Sequence, residues 1–280
     1  MAATFCLAAA ADGCGSFSAS AAKTTAERHG WELSTQSYTF HNFTVFEALD
    51  KTASLGVKNI EIYPGHRLGG DYGDATFGYG MTPEQRDAVL RYAKDKGVKI
   101  VGSGVWVAGR DEWQKVFDFA GQMGLEYISA EPARDDWDVV EALADKTGIR
   151  VATHNHPDKN SYWNADELLT FIGHRSRKLG SCADVGHFRR MGLDHLDQMR
   201  RLDGRILSLH FKDIAPDKDG KLEDCVWGEG ILGLDDMLKE LKRQKFKGYF
   251  TIEYENEWDN NVPSIARCIK AFNSAADRIF

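Results

Sequence analysis

The chain is 280 residues long, and its 42% hydrophobic, 28% charged and 11% aromatic residues are ordinary for a globular protein. These values exclude an intrinsically disordered or fibrous chain, and the length suits one large domain. The formal net charge of −7 argues against a nucleic-acid partner, because phosphates require a basic protein surface.

Residues 1–30 differ in composition from the rest of the chain. They are rich in alanine and serine and resemble the apolar and small-residue parts of a signal peptide, but the basic start of such a peptide is missing. We predict a disordered or signal-peptide-like segment over 1–30. A periplasmic or secreted protein and a cytoplasmic protein with a loose tail are the two alternatives. No later apolar run approaches the roughly 20 residues that a membrane span needs.

From Trp31 onward one pattern recurs eight times: a short β-rich run, a polar turn and an amphipathic helical stretch. Regular alternation of this kind predicts a parallel sheet covered by helices, and eight units in about 250 residues predict a single-domain TIM (β/α)8 barrel over 31–280. A doubly wound open sheet is the alternative. The predicted strands are 33–40, 57–64, 98–105, 125–132, 149–156, 178–185, 205–212 and 248–255.

The helical stretches carry recognisable start and stop signals. In TPEQRDAVLRYAKDKG (82–97), Thr82 suits the N-cap, Pro83 the first helical position and Gly97 the residue after the helix. The five cysteines, in contrast, have no CxxC spacing, so we expect neither a disulfide framework nor a structural zinc site. They are Cys6, Cys14, Cys182, Cys225 and Cys268.

Five successive strands, the fourth to the eighth, each end in an ionisable residue. Because side chains alternate along a strand, the apolar Leu209 and Phe211 should face the helices, and His210 and Lys212 the barrel axis. Catalytic residues of TIM barrels lie at these strand ends. One such residue alone is usually structural, but crowded carboxylates need a cation to neutralise them. The five residues that the pattern brings to one mouth are Glu131, His154, Asp184, His210 and Glu253.

Mixed carboxylate and imidazole ligands suit Mn, Fe, Co or Zn better than Ca or Mg alone. We therefore predict one divalent metal ion, with Mn the first choice and Co, Fe, Zn or Mg as alternatives. Its predicted ligands are the same five residues.

The motifs ADVGH (183–187), SLHFKD (208–213) and FTIEYE (250–255) occupy successive strand ends. In this order they resemble the xylose isomerase-like TIM barrel superfamily of sugar-phosphate isomerases and epimerases, and the resemblance covers residues 31–280. It implies metal ligands at Asp184, His210 and Glu253, and it implies that His187 contacts substrate hydroxyls.

The fifth strand departs from the family pattern. The family often has a glutamate where this chain has His154, and that glutamate also moves a proton in the epimerases. The resemblance therefore implies Glu253 as one catalytic group and leaves the other open. Glu131 could supply the missing carboxylate as ligand or base, and His156 could act as the base because an imidazole titrates near neutral pH. Lys212 is a fourth catalytic candidate, with a structural ion pair as the alternative.

Several aromatic residues lie near strand ends and are candidates for stacking on a sugar, although packing in the core is the commoner fate of any one. The long connection 215–233 is a candidate lid that carries Trp227. The predicted substrate-binding residues are His187, Trp106, Trp227 and Tyr63, with Trp163 as a further aromatic candidate. His41, His66, Glu61 and Arg189 are weaker candidates.

These observations predict an enzyme with a small carbohydrate substrate, no nucleic-acid partner and no membrane span, and they leave open whether it forms a homo-oligomer. The first hypothesis is a metal-dependent sugar isomerase or epimerase that acts through an enediolate. The second is a metal-dependent lyase or hydratase that acts on keto-sugars or 3-keto-glycosides by α-proton abstraction and β-elimination. A DNA-repair endonuclease and a non-catalytic sugar-binding barrel are less favoured, because the chain lacks a basic groove and has five converging ionisable groups.

Overall fold

Eight parallel strands form a closed barrel in the computed structural model, which describes residues 22–280. The barrel closes by pairing of the first strand with the last, where Ser34 lies opposite Thr251. Its strands are β1 (Trp31–Gln36), β2 (Asn59–Ile62), β3 (Lys99–Trp106), β4 (Tyr127–Ala130), β5 (Arg150–His154), β6 (Leu179–Asp184), β7 (Ile206–Phe211) and β10 (Gly248–Ile252). Strands β8 (Ile214–Pro216) and β9 (Leu222–Asp224) form a separate small hairpin between β7 and β10. The predicted TIM barrel is thus confirmed.

The first strand is the one whose predicted bounds differ most from the structure. Residues Ser37–Phe40, predicted as part of the strand, form a 3₁₀ helix, and the Gln36 side chain accepts a hydrogen bond from the Tyr38 backbone N–H at its start. This turn carries Tyr38 over the mouth of the barrel. The prediction failed here because the apolar alternation continues through the turn.

Helices follow the strands and cover the barrel. Thr82 caps α3 together with Gln85, and Pro83 is its first residue, as predicted. In α9 the buried residues Leu234, Met237, Leu238 and Leu241 recur at helical spacing and form the face that packs on the barrel. The helices are α1 (Thr25–Arg28), α2 (Val45–Ser54), α3 (Pro83–Asp95), α4 (Trp113–Gln122), α5 (Trp137–Thr147), α6 (Ala165–Ile172), α7 (Val185–Arg190), α8 (His195–Arg201), α9 (Leu234–Arg243) and α10 (Val262–Ile279).

The core has two parts. A large cluster lies between barrel and helices and contains Leu209, Phe211 and Phe250, so these side chains point outward as the alternation predicted. A second, smaller cluster lies inside the barrel and includes Tyr127 and Tyr249. Polar side chains at the strand ends therefore share one enclosed space above an apolar floor.

Packed structure begins before Trp31. Helix α1 lies within the predicted N-terminal segment, but its Ala26 is buried and the Thr25 hydroxyl bonds to Asp277 in α10. The remainder of that segment, residues 1–21 with Cys6 and Cys14, lies outside the described residues. Cys182, Cys225 and Cys268 are free thiols. Within residues 22–280, no helix is long and apolar enough to cross a membrane.

Hydrogen bonds to Asp213, just after strand β7, anchor the connection 215–233 to the barrel, so it is not built as a free lid. The Asp213 carboxylate accepts backbone N–H groups from Ile214, Gly228, Gly230 and Leu232 at 2.8–3.1 Å. Trp227 is buried against Phe211 and Phe272 in the layer between barrel and helices. This corrects the prediction that Trp227 is a substrate-binding residue on a lid, since a core indole cannot contact a ligand in the mouth.

Candidate active site

Four side chains meet at the carboxyl ends of neighbouring strands. His154 and Asp184 are the last residues of β5 and β6, His210 lies on β7, and Glu253 directly follows β10. All four are buried, and each offers a ligand atom within 4.8 Å of the others. The parallel strands and their two-residue period produce this convergence, because each strand directs its last inward side chain to the same end of the barrel.

The facing atoms of these residues form no hydrogen bond within the described part of the chain, although Asp184 Oδ2 and Glu253 Oε2 form ion pairs with the buried Lys212. They are both ring nitrogens of His154, Asp184 Oδ2, His210 Nδ1 and Glu253 Oε2. Buried nitrogen and oxygen atoms without a hydrogen bond are rare in folded proteins, and they indicate a bound water molecule or ion. Two imidazoles and two carboxylates are a donor set that suits a divalent transition metal. The residues present therefore fit a metal ion.

Glu131 lies beside this group but not in it. One of its oxygens contacts His156 Nδ1, and the other accepts the Ser161 hydroxyl at 2.5 Å. Burial raises the pKa of Glu131, but the hydrogen bond and charge of His156 outweigh it and lower that pKa. Glu131 is thus an ionised carboxylate that orients His156. Its Oε1 also lies 4.0 Å from His154 Nδ1, so Glu131, His154 and His156 form a second group whose ligand atoms lie within 4.8 Å of one another and could hold an ion. The role of Glu131 as a ligand therefore stays a prediction.

His156 faces the cavity. Its side chain is 46% exposed, and with Nδ1 held by Glu131 the other nitrogen, Nε2, is left for a ligand. Burial lowers the pKa of His156, but the hydrogen bond and charge of Glu131 outweigh it and raise that pKa. A carboxylate that holds one nitrogen and leaves the other free is the arrangement of a general acid–base histidine.

Lys212 lies beneath the four-residue group. Its Nζ lies 3.2 Å from Asp184 Oδ2 and 2.9 Å from Glu253 Oε2, and it also contacts Glu255. Burial lowers the pKa of Lys212, but Asp184 and Glu253 outweigh it and raise that pKa far above the usual range. The ammonium is fully buried and does not line the cavity. It therefore acts as a counterion of the site, which was the structural alternative for this residue.

The same charges act on the acids. Burial raises the pKa of Asp184, but its neighbours His187 and Lys212 outweigh it and hold that pKa well below its ordinary value. Burial likewise raises the pKa of Glu253, and here His210 and Lys212 lower it by more. Both acids are carboxylates at neutral pH, which is the form that binds a cation.

His187 is held in one tautomer by Arg190. The guanidinium Nη1 lies 3.1 Å from His187 Nδ1, and because arginine only donates, that nitrogen must accept. Burial lowers the pKa of His187 well below its ordinary value, so the ring is neutral and its proton is on Nε2. Arg190 is in turn paired with Asp224, whose other oxygen accepts the Glu255 backbone N–H at 2.9 Å. Strand β9 thus supports His187.

A cavity of about 460 Å³ opens above these residues. The rings of Tyr38 and Tyr63 form part of its wall and pack edge to face with centroids 5.4 Å apart. No lysine or arginine lines it among the described residues. Trp106 is buried and donates to Ser103 outside the lining, so the prediction that it binds substrate is corrected, whereas Tyr63 and His187 lie at the cavity. Trp163, next to Lys159, is not in the lining either.

Sequence reasoning missed Tyr38, Gln36 and the Arg190–Asp224 pair. Gln36 was an inward residue at the end of the first strand, so the strand-end rule could have found it if it had been applied to amides. Arg190, not the neighbouring Arg189, points to the site, because α7 turns the side chain of Arg189 to solvent. Among the weaker candidates, Glu61 is buried inside the barrel and His66 packs under Tyr63.

His66 makes folding stability depend on pH. It is fully buried, stacks on Tyr63 and bonds through its two nitrogens to Ser37 and the Phe43 carbonyl. Burial lowers its pKa to about 4. As the pH falls, the unfolded chain therefore takes up this proton before the folded protein does. The contribution of neutral His66 to the free energy of unfolding is complete above pH 6.5 and decreases towards pH 4, by up to roughly 3 kcal/mol.

Urea unfolding of the wild type and of His66→Gln between pH 4 and 7 measures this contribution. The variant should show a shallower loss of stability over that range, whereas His174→Gln, at an exposed position, should follow the wild type. Equal slopes for the wild type and His66→Gln would contradict the assignment.

Three comparisons place the chain among known proteins. It is 31% identical over 164 residues to inosose isomerase from Halalkalibacterium halodurans, a match that spans 51% of this chain and 57% of that protein. An uncharacterised protein of known structure from Parabacteroides distasonis is 34% identical, with a TM-score of 0.71 over 86% of this chain and 97% of the other. A sugar phosphate isomerase/epimerase from the same organism is 17% identical, with a TM-score of 0.65 over 88% and 94%.

The family model described as xylose isomerase-like TIM barrel matches residues 49–273, which include every strand from β2 to β10 and all four residues of the buried group. The chain belongs to the xylose isomerase-like TIM barrel family.

Proposed function

We propose that the protein is a divalent-metal-dependent sugar isomerase or epimerase that acts through an enediolate at a carbonyl–hydroxyl pair of its substrate. The observation that carries this proposal is the convergence of buried ligand atoms from His154, Asp184, His210 and Glu253, which lie within 4.8 Å of one another. The partial match to an inosose isomerase supports the same class of reaction. These four residues would hold the ion. A bound divalent ion supplies Lewis acidity that stabilises negative charge on a carbonyl oxygen.

The residues around the four ligands support proton transfer. His156 is oriented by Glu131 and faces the cavity. It would remove the proton from the carbon next to the carbonyl and deliver it to the former carbonyl carbon. His187 would donate from Nε2 to a substrate oxygen, because Arg190 keeps its Nδ1 as an acceptor. The rings of Tyr38 and Tyr63 offer an apolar wall for a sugar face.

The absence of lysine and arginine from the described cavity lining favours an uncharged sugar over a sugar phosphate. A phosphate group would need basic side chains or a helix N-terminus to compensate its charge. The buried ammonium of Lys212, near the cavity, is already compensated by Asp184, Glu253 and Glu255. We therefore infer that the substrate is a neutral carbohydrate.

A lyase or hydratase that acts on keto-sugars or 3-keto-glycosides is the second candidate. It is favoured by His154, which occupies the position where a two-carboxylate epimerase has a glutamate. The second carboxylate base of such an epimerase is therefore missing here, and His156 is the base that faces the cavity. Elimination needs one base for the α-proton and one donor for the leaving group. His156 could take up the α-proton and then pass it to the leaving oxygen, while the Nε2–H of His187 donates a hydrogen bond to that oxygen.

NMR of sugars incubated with Mn²⁺-loaded protein in D₂O distinguishes the two reactions. Deuterium at the carbon next to the carbonyl, with an intact skeleton, would support isomerisation or epimerisation, whereas loss of water or of an aglycone would support elimination. Ketoses, inososes and 3-keto-glycosides are the substrates to include. If the protein binds Mn²⁺ and exchanges no proton of any of them, both proposals fail.

A further inference from the structure

A buried carboxylate deeper in the barrel contacts one of the proposed metal ligands. Glu61 lies on β2, is fully buried, and its Oε1 lies 3.3 Å from His210 Nε2. His210 Nδ1, on the other side of the ring, points into the site and lies 3.0 Å from Glu253 Oε2, which is itself one of the proposed ligand atoms. The two nitrogens of one ring thus face a carboxylate and the proposed metal position.

We propose that Glu61 is a positioning residue that holds His210 as the Nε2–H tautomer, so that its Nδ1 lone pair is presented to the metal. A nitrogen that coordinates a metal cannot carry a proton, and a carboxylate can only accept; with Nδ1 given to the ion, the ring proton lies on Nε2, where Glu61 accepts it. Histidine ligands of metals commonly donate their other N–H to a carboxylate or carbonyl, which sets the ring orientation and increases its basicity. The inference rests on the proposed metal site.

The contacts of Glu61 indicate that it is itself held in place. Gln36 Nε2 donates to its Oε1 at 3.0 Å, and the Tyr127 hydroxyl donates to its Oε2 at 2.6 Å. Gln36 also donates to the Gly104 carbonyl at 3.1 Å. These bonds join β1, β2, β3 and β4 to the ring of His210 on β7. Of the three side chains that bond to Glu61 in the described part of the chain, none is lysine or arginine, so no such cation competes with the imidazole for this carboxyl group.

A purely structural role is the alternative, and it predicts different measurements. If Glu61 served only to satisfy polar groups inside the barrel, Glu61→Gln would cost stability but leave the metal site intact. If it orients His210, the same neutral variant weakens the affinity for metal. Removing such an outer carboxylate typically lowers metal affinity about 10–100-fold.

The test uses metal ions alone, so it requires no substrate. Metal-free wild type, Glu61→Gln and Asp136→Asn are titrated with Mn²⁺ by calorimetry. Asp136 is a buried carboxylate that accepts from the Trp113 indole at 3.0 Å outside the site, and it therefore controls for the loss of a buried charge. We expect the dissociation constant to rise about 10–100-fold for Glu61→Gln and to stay near wild type for Asp136→Asn. An unchanged constant for a folded Glu61→Gln would overturn the inference.

NMR of the histidine nitrogens in the Zn²⁺-loaded wild type provides a second readout that needs no variant. We expect His210 to coordinate through Nδ1 and to retain a hydrogen-bonded, slowly exchanging proton on Nε2. Coordination through Nε2 would refute the role of Glu61 even if Glu61→Gln did not fold. A wild type that binds neither ion would instead refute the proposed function on which the inference rests.

Discussion

Replacing His156 with glutamine should lower the rate of substrate proton exchange by about 10²–10⁴-fold while the protein still binds Mn²⁺. Glutamine keeps the approximate size of the side chain but cannot take up a proton. The affinity for metal should persist because the proposed ligands are His154, Asp184, His210 and Glu253, whereas its loss would point to the second group of Glu131, His154 and His156 as the metal site. The measurement is deuterium incorporation from D₂O into the sugar that exchanges fastest with the wild type, with the Mn²⁺ affinity determined on the same samples.

Two further variants make this result interpretable. His174→Gln changes an exposed histidine and should exchange at the wild-type rate. Glu131→Gln leaves the imidazole in place but removes the carboxylate at its Nδ1, so it should retain more activity than His156→Gln. If Glu131→Gln abolishes exchange and His156→Gln does not, the base is Glu131 and the assignment of His156 is wrong.

Replacing Lys212 with methionine should destabilise the metal-free protein by about 3–5 kcal/mol, the usual cost of removing one partner from a buried ion pair. The variant leaves Asp184 and Glu253 without their buried cation, and methionine preserves most of the side-chain length. A bound divalent ion neutralises the same carboxylates, and any ion that binds only the folded state adds stability. Saturating Mn²⁺ should therefore restore most of the lost stability.

Urea unfolding with and without Mn²⁺ measures this coupling. Lys212→Met should gain more stability from Mn²⁺ than the wild type does, because the ion no longer shares the carboxylates with an ammonium. The control is Lys58→Met, which breaks an exposed pair with Glu27 and should change stability by less than about 1 kcal/mol in either condition. Equal gains from Mn²⁺ in the wild type and in Lys212→Met would show that the lysine does not act as a counterion of the metal site.

The barrel and the inward positions of the site could be predicted from sequence because both follow from local backbone geometry. A two-residue period on each strand sends Leu209 and Phe211 to the helices and His210 to the axis, whatever the rest of the chain does. The eightfold β/α alternation then brings the strand ends to one mouth. His154, Asp184, His210 and Glu253 were therefore identifiable as a group, and the structure brings all four together.

The partners of each side chain were beyond the sequence because they depend on which strands face each other across the closed barrel. Glu61 and His210 are 149 positions apart, and no local pattern pairs them. Trp227 looked like a residue of a mobile loop, but the Asp213 carboxylate holds that loop and the indole packs into the core. The buried position of Trp227 depends on helix α10, because Phe272 of that helix packs against the indole ring.

The sequence by itself determined the fold, the family and the residue types at the mouth of the barrel, since these depend on periodicity and motifs within single strands. Only the tertiary structure decided which atoms are free to bind. It engages the oxygens of Glu131 with His156 and Ser161, and it gathers ligand atoms of His154, Asp184, His210 and Glu253 within 4.8 Å of one another. The physical reason is that hydrogen bonds and ion pairs extend over only a few ångströms, so their assignment requires the closed barrel that brings distant strands into contact.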